Sequence, residues 1–454
     1  YRGSLTNAVG AGGTGAGFKR AARIRRNSEM KIFNSILMDL GTGLHIDGVT
    51  TEANATNGLL KFKNNILSGY FSSKGQVGEV NSGSTFDIKT FIKNNNNDTV
   101  PLTAGILINP YALDDNNSDF RPGTLASSGA SFTDPAFSGL VLSSYINKVE
   151  YRGAFAPAPS PMWTSGWTEY NPQTKAYGTA NVNVDGITVG TVVGSDVHIT
   201  TNTTFTSNNI YLLKGAVYVD SLVTLTIEPG TVIRGDNIVA NSSLIIRRGA
   251  KLLAEGTPCN PIVFTSNKVA GSRLPGDWGG IILLGRGSVN QTGGVSNIEG
   301  LTIANQTQFG GGSTPNDADT SGILKYVRIE YGGYVFTANK EINGLTMGAV
   351  GSGTVIDYVQ CSFINDDSFE WFGGKVNCSH LIAYKGTDDD FDTDFGYSGN
   401  VQFALSLRDP QLFDPTYAAA SGASTSEGFE SDNDANSSTL TPKTKAIFSY
   451  VTII

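Results

Sequence analysis

The feature that most limits this chain is a set of internal periods of roughly 20 to 30 residues. LVTLTIEPGTVIRGD from Leu222 is echoed by SSLIIRRGAKLLAEG from Ser242, and MKIFNSILMDL from Met30 returns as LKFKNNILSG from Leu60. DDSFEWF from Asp366 returns as DDDFDTD from Asp388, 22 residues on. Repeats this short cannot bury an apolar face alone and must stack on one another. Short Val, Ile and Leu runs closed by Gly or Asn turns stack as the coils of a β-solenoid. The expected fold is all-β, a parallel β-helix with one continuous apolar core, and Asn34 and Asn64 fall at equivalent turns where side chains form ladders. With 55 glycines, three histidines and 39% hydrophobic residues, composition favours strands and turns over helices.

Loop inserts are expected at Val9–Gly17, Asn94–Asp98, Gly310–Ser321 and Tyr417–Ser426. The Pro- and aromatic-rich stretch Tyr151–Tyr177 shows no coil period. It reads as a cap over an open end of the solenoid, with a carbohydrate-stacking surface through Trp163, Trp167 and Tyr170 as the alternative. The expected division is coils with inserts over 1–147, a cap and linker over 148–185, and further coils carrying the acidic cluster over 186–454.

A net charge of -8 and a pI near 5.0 argue against a nucleic-acid partner. The counter-signal is Lys19, Arg20, Arg23, Arg25 and Arg26, whose alternation reads as the outward face of a strand. Cys259, Cys361 and Cys378 lack paired metal-ligand spacing and read as buried thiols. No apolar run reaches the ~18 residues of a membrane-spanning helix.

The ordered motifs SSLIIRRGAKLLAEGTPCNPIVFTSN, PGDWGGIILLG, GILKYVRIEYGG, DDSFEWFGG, HLIAYKGTDDDFDTDFGYSG and GFESDND resemble a group of secreted or lipid-anchored β-helix proteins of Bacteroidota. The likeness is dense over Ser195–Ile454 and looser over Phe18–Tyr177. It implies a right-handed parallel β-helix, type IX secretion and an extracellular or outer-membrane cell-surface location. It supplies no catalytic residue set. In that group FSYVTII leads into a coil like FKRAARIRRNSEM, and YRGAF with its Trp-rich tail comes last, whereas here the late half comes first. A window on a tandem array, two pieces joined in permuted order and a circular permutant all give this order, and the first makes end-to-end self-association of modules an expectation.

Carboxylates one coil apart lie about 4.8 Å from each other and repel unless a cation sits among them. Calcium suits such a site, taking six to eight oxygen ligands at about 2.3 to 2.6 Å. The expected ligands are Asp366, Asp367, Glu370, Asp388, Asp389, Asp392 and Asp394, with Glu430, Asp432 and Asp434 of ESDND nearby. The competing reading is solvated turns and ion pairs with Arg328, Lys385 and Arg408. Two functions follow. One is a non-catalytic surface module, an adhesin, filament component or glycan binder, stiffened by calcium; His45, His198 and His380 are dispersed and no nucleophile elbow occurs. The other is a calcium-dependent polysaccharide lyase, or a glycoside hydrolase, on one face of the helix. There Asp366, Asp388 and Asp392 would hold calcium, Arg408 or Lys385 would be the base, and Trp371, Phe372, Tyr384 and Tyr397 would line an extracellular glycan beside Arg408.

Overall fold

The computed structural model describes residues 18–69, 76–112, 118–139, 145–184, 197–239, 241–298, 306–337, 340–409 and 426–454, with 301 and 412. The inserts expected at Val9–Gly17 and from Tyr417 fall outside these residues, except for Ser426, as does the side chain of Lys19.

The chain winds as a right-handed parallel β-helix with three faces. One face is a sheet of 11 parallel strands, running from Val197–Ile199 through Phe369–Phe372, Phe391–Asp394 and Ser426–Ser431 to Phe18–Arg25, Thr42–Asp47 and Gln76–Val80. The other two faces belong to one 17-stranded sheet folded over a corner. Inward Val, Ile, Leu and Phe from all three faces merge into one core.

Spatial order and chain order differ. Ile447–Ile453 pairs with Lys31–Phe33 and Ile36–Met38, and Ser426–Ser431 pairs with Phe18–Arg25, so late and early residues stack within one chain.

The corner has its own ladder. Tyr326, Tyr358, His380, Phe403, Tyr450, Asn34 and Asn64 all take positive φ, and the strand register stacks them coil on coil. A left-handed residue turns the strand from one face to the next, at roughly 1–2 kcal/mol for a side chain bulkier than glycine. Ring stacking offsets that cost: Tyr358 lies 4.2 Å from His380 and 4.4 Å from Tyr326 by ring centroid. Asn34 and Asn64 continue the column, and Asn34 Nδ2 donates to Tyr450 Oη.

Tyr151–Tyr177 does not cover an end of the solenoid. It runs along this corner as a strap because the exposed aromatic column supplies the apolar surface its rings need. Asn147 donates its N–H to Gln402, Ala154 to Thr452, and Glu169 to Gln360, whose side chain donates back to Glu169 O. Trp167 is buried and edge-on to Tyr326 and Tyr358. Past Tyr177 the chain reaches the first coil, where Asn181 N–H donates to Ile210 O.

The end of the 11-stranded face is closed instead by helix α2 (Ile88–Asn94), following helix α1 (Val49–Thr56) one coil earlier. Ile88 and Ile92 press on Gly78 so closely that a Cβ there would lie 2.4 Å from Ile88. The expected Asn94–Asp98 insert is only the turn from α2 into the Asp98–Val100 strand, whereas Gly310–Ser321 is a true excursion between strands. Cys361 and Cys378 are buried as expected; Cys259 is exposed, because it lies in the turn before Ile262–Ser266 rather than in a strand.

Candidate functional site

On the 11-stranded face, side chains alternate inward and outward, so one coil contributes every second residue to each surface. Phe369, Phe391 and Phe429 stack inward in register and fix the positions of the residues between them. The outward column beside them reads Thr346, Glu370, Asp392, Glu430, Arg23, His45 and Glu79. A flanking column carries Asp394 and Arg25 beside Asp432 and Asp47, and the other carries Asp367, Asp389, Glu427 and Arg20.

The acidic block has its counter-charges on the strand Phe18–Arg25. Arg20 donates to Glu427 at 2.9 Å and to Glu79 at 2.9 Å. Arg23 reaches Asp47 at 2.7 Å and Glu430 at 3.4 Å; Arg25 binds Asp432 at 2.7 Å and also pairs with Glu430. Arg26 adds a second contact to Asp432 at 2.6 Å. The basic stripe is outward as expected, but its charge is spent on carboxylates of the same molecule. Sequence reasoning missed these partners and Glu427. The only signal was that KRAARIRRN and SEGFESDND share a two-residue alternation of opposite sign.

Arginine balances one side of the block and leaves the other acidic. Asp367, Glu370 and Asp392 bring one carboxylate oxygen each within 4.8 Å of one another, and Asp366, Asp367 and Asp388 do the same. Asp367 accepts the N–H of Asp389 at 2.9 Å, and Asp389 accepts that of Glu427. Glu370 accepts from Asn343 Nδ2, while Asp392 Oδ1 meets no hydrogen-bond donor among the described residues. Burial, and then repulsion from Asp366, Asp389, Asp392 and Glu370, hold the Asp367 carboxyl well above the usual range. Burial likewise raises Asp389, with Asp388 and Glu430 adding to it, and Asp392, with Glu430 and Asp432 adding. Asp394 is raised by burial and then by Asp432. Glu430 is pushed up to about 8 by burial, against the pull of Arg25. A divalent cation would suit this donor set, which has hard oxygen ligands in excess, close together and short of positive charge.

Of the expected ligands, Asp366, Asp367, Glu370, Asp388 and Asp392 come together, with Asp389 and Asp394 alongside. Glu430 and Asp432 belong to the arginine seam. Asp434 neighbours Asp394 but is spent on its own turn, accepting from the Asn436 and Ser438 N–H groups, because the chain leaves the sheet after Ser431.

The expected sugar-lining residues are corrected by their burial. Trp371 and Tyr397 are core residues stacked 5.4 Å apart, and Tyr384 lies beneath the strap, donating to Tyr170 O at 2.8 Å. Phe372 is buried against Phe309. Strand alternation turns Trp371 and Tyr397 inward, whereas Phe372 and Tyr384 point outward and are covered by Phe309 and by the strap, so all four faces meet protein. Trp163, Trp167 and Tyr170 are likewise spent on the strap. Arg408 is 2% exposed; its Nε donates to Asp390 at 2.6 Å and its Nη2 to the carbonyls of Asp388 and Glu427. It staples adjoining turns and is too enclosed to serve as a base. Lys385 pairs with Asp409 at 3.1 Å, and Arg328 sits beside Glu330 at 3.6 Å.

Among the described residues no helix is long and apolar enough to cross a membrane. The family comparison matches a pectate-lyase like beta helix domain over residues 197–454. This chain belongs to that family. No curated protein and no solved structure matches it.

Proposed function

We propose that this member of the pectate-lyase-like β-helix family is a non-catalytic module of the extracellular or outer cell surface whose acidic block holds calcium. The carrying observation is the pair of carboxylate triads that share Asp367, each with its oxygens within 4.8 Å. Calcium would take oxygens from Asp367, Glu370, Asp392, Asp366 and Asp388, and its charge would relieve the repulsion that raises these carboxyls. Because the triads bridge neighbouring coils, the bound ion would tie those coils together. Within the same reading, the module serves as an adhesin, a filament component or a glycan binder. Export by type IX secretion and end-to-end association of modules remain part of the proposal. In the latter, the Gln76–Val80 strand ends the 11-stranded face, with Ile88 and Ile92 of α2 packed on Gly78 over the core beside it.

Calorimetric titration of the chelator-treated protein with calcium tests this, alongside melting curves in calcium and in chelator. Saturable binding and a higher melting temperature in calcium are expected, since a ligand at 100 times its Kd stabilises by about 2.7 kcal/mol. Identical melting in both, without binding heat, would sink the proposal.

The family's description favours a second reading, polysaccharide lyase chemistry at the same acidic block. Its suggested bases, Arg408 and Lys385, are engaged elsewhere, which is why the non-catalytic reading stands first. Incubation with a polysaccharide panel that includes uronate polymers, following unsaturated products and new reducing ends, separates the two. Calcium-dependent cleavage would replace the first reading with the second.

A further inference from the structure

A second charged site lies on another face. Lys61 and Lys63 alternate on the strand Lys61–Lys63, and both ammonium groups converge on one carboxylate, Asp134, which Lys63 meets at 3.0 Å. Lys31 is the register neighbour of Lys61 on the preceding coil. Two cations on a single anion leave positive charge to spare, in a molecule whose net charge is -8. The lysines floor a cleft of about 420 Å³ between α1 and α2, within the roughly 300–1,000 Å³ usual for small-ligand sites. Its lining adds the half-buried ring of Phe91 and the exposed polar side chains of Thr90 and Asn94.

We infer that this cleft binds an anionic saccharide, its carboxylate or sulfate group received by Lys61 and Lys63, its hydroxyls by Asn94 and Thr90, and a sugar face by Phe91. Ammonium groups recognise a compact anion as point charges, amides and hydroxyls suit a polyhydroxylated ligand, and an aromatic edge suits a ring. Asp134 fills the anion position in the free protein and competes with the ligand for it. The site stands apart from the acidic block and does not depend on calcium, so either proposal can fail alone.

The test is calorimetric titration of the full chain in chelator with three hexasaccharides: a galacturonate, a sulfated heparin fragment and neutral cellohexaose. Saturable binding of either anionic chain, weakened by salt and without binding of the neutral one, is expected. Whichever anionic chain binds names the anion. Lys61→Gln with Lys63→Gln should weaken binding at least about tenfold, while Asp134→Asn should strengthen it, since the internal competitor is lost. Melting curves establish that both variants fold. The opposed signs separate recognition from a packing role, which would weaken binding in both. No binding of either anionic chain, equal binding of cellohexaose, binding that requires calcium, or a loss on Asp134→Asn would each overturn the assignment.

Discussion

Arg25 donates from its Nε to the carboxylate of Asp432 at 2.7 Å, across a separation of 407 residues. With Arg23 and Arg20 it makes a charged seam where coils from the two parts of the chain meet. Burial works against the charge of Arg25, yet Glu430 and Asp432 outweigh it and raise its pKa. Arg25→Gln should therefore destabilise by more than a surface pair would. The seam is largely buried, and breaking one partner of a buried pair costs about 3–5 kcal/mol; the residual exposure of Arg25 places it near the lower end of that range. Chemical denaturation checks this, and an unchanged midpoint would show the seam to be ornamental.

That seam marks the limit of what the sequence reveals. The fold was legible because coil periods are local: DDSFEWF and DDDFDTD lie 22 residues apart and do stack, Phe369 on Phe391 and Glu370 on Asp392. The acidic ladder was legible for the same reason. Its arginine partners were not, since the pairing of Phe18–Arg25 with Ser426–Ser431 spans most of the chain and carries no period. The aromatics misled for a different reason. Trp371 and Tyr397 occupy inward positions of a coil, and a ring beside carboxylates in sequence looks the same whether strand alternation turns it in or out.

Asp392→Asn should change sign with calcium. In chelator the wild-type carboxyl is held high by burial and by Glu430 and Asp432, so removing its charge relieves strain and raises the melting temperature. In millimolar calcium the same change deletes a ligand and lowers it. Four melting curves decide the matter. Destabilisation of equal size in both conditions would mean that Asp392 serves packing alone.

Arg408 and Asp390 form the most enclosed ion pair among the described residues, with side-chain exposures of 1% and 0%. Arg408→Met strands Asp390 and the carbonyls of Asp388 and Glu427. A loss of about 3–5 kcal/mol is expected. Asp390→Leu added to it should recover part of that loss, because the orphaned charge is then gone. A double variant weaker than the single one would show that Asp390 keeps other partners.

Glu330 gives the strap a pH dependence. Its carboxylate accepts from Tyr177 Oη at 2.7 Å and from Thr265 Oγ1 at 2.9 Å, wholly inside the protein. Burial raises its pKa, with Arg328 the chief opposing influence. A folded pKa above the unfolded value of about 4.3 means that the folded state holds the proton more tightly. Its contribution is therefore full below that value and is lost as pH rises through the folded pKa. The difference in melting temperature between wild type and Glu330→Gln should shrink steadily from acid toward neutral pH. A difference that grows would mean that ionised Glu330 stabilises the fold, with Arg328 prevailing over burial.

Trp167 decides whether the Pro- and Trp-rich segment is architecture or a binding surface. The indole donates to Trp163 O at 2.8 Å and packs edge-on against Tyr326 and Tyr358, two members of the left-handed aromatic column. Trp167→Ala opens a cavity over a column whose backbone is strained at every rung, and a buried tryptophan lost in this way costs about 3–5 kcal/mol. The loss should appear first as faster hydrogen exchange at the Glu169 N–H, which donates to the Gln360 side chain and ties the strap to the sheet, with the coil strands following only at global unfolding. A sugar-stacking tryptophan behaves in the opposite way, tolerating alanine with little change in stability while binding is lost. Unaltered exchange at Glu169 in the variant would return Trp167 to the surface and reopen the glycan reading of this segment.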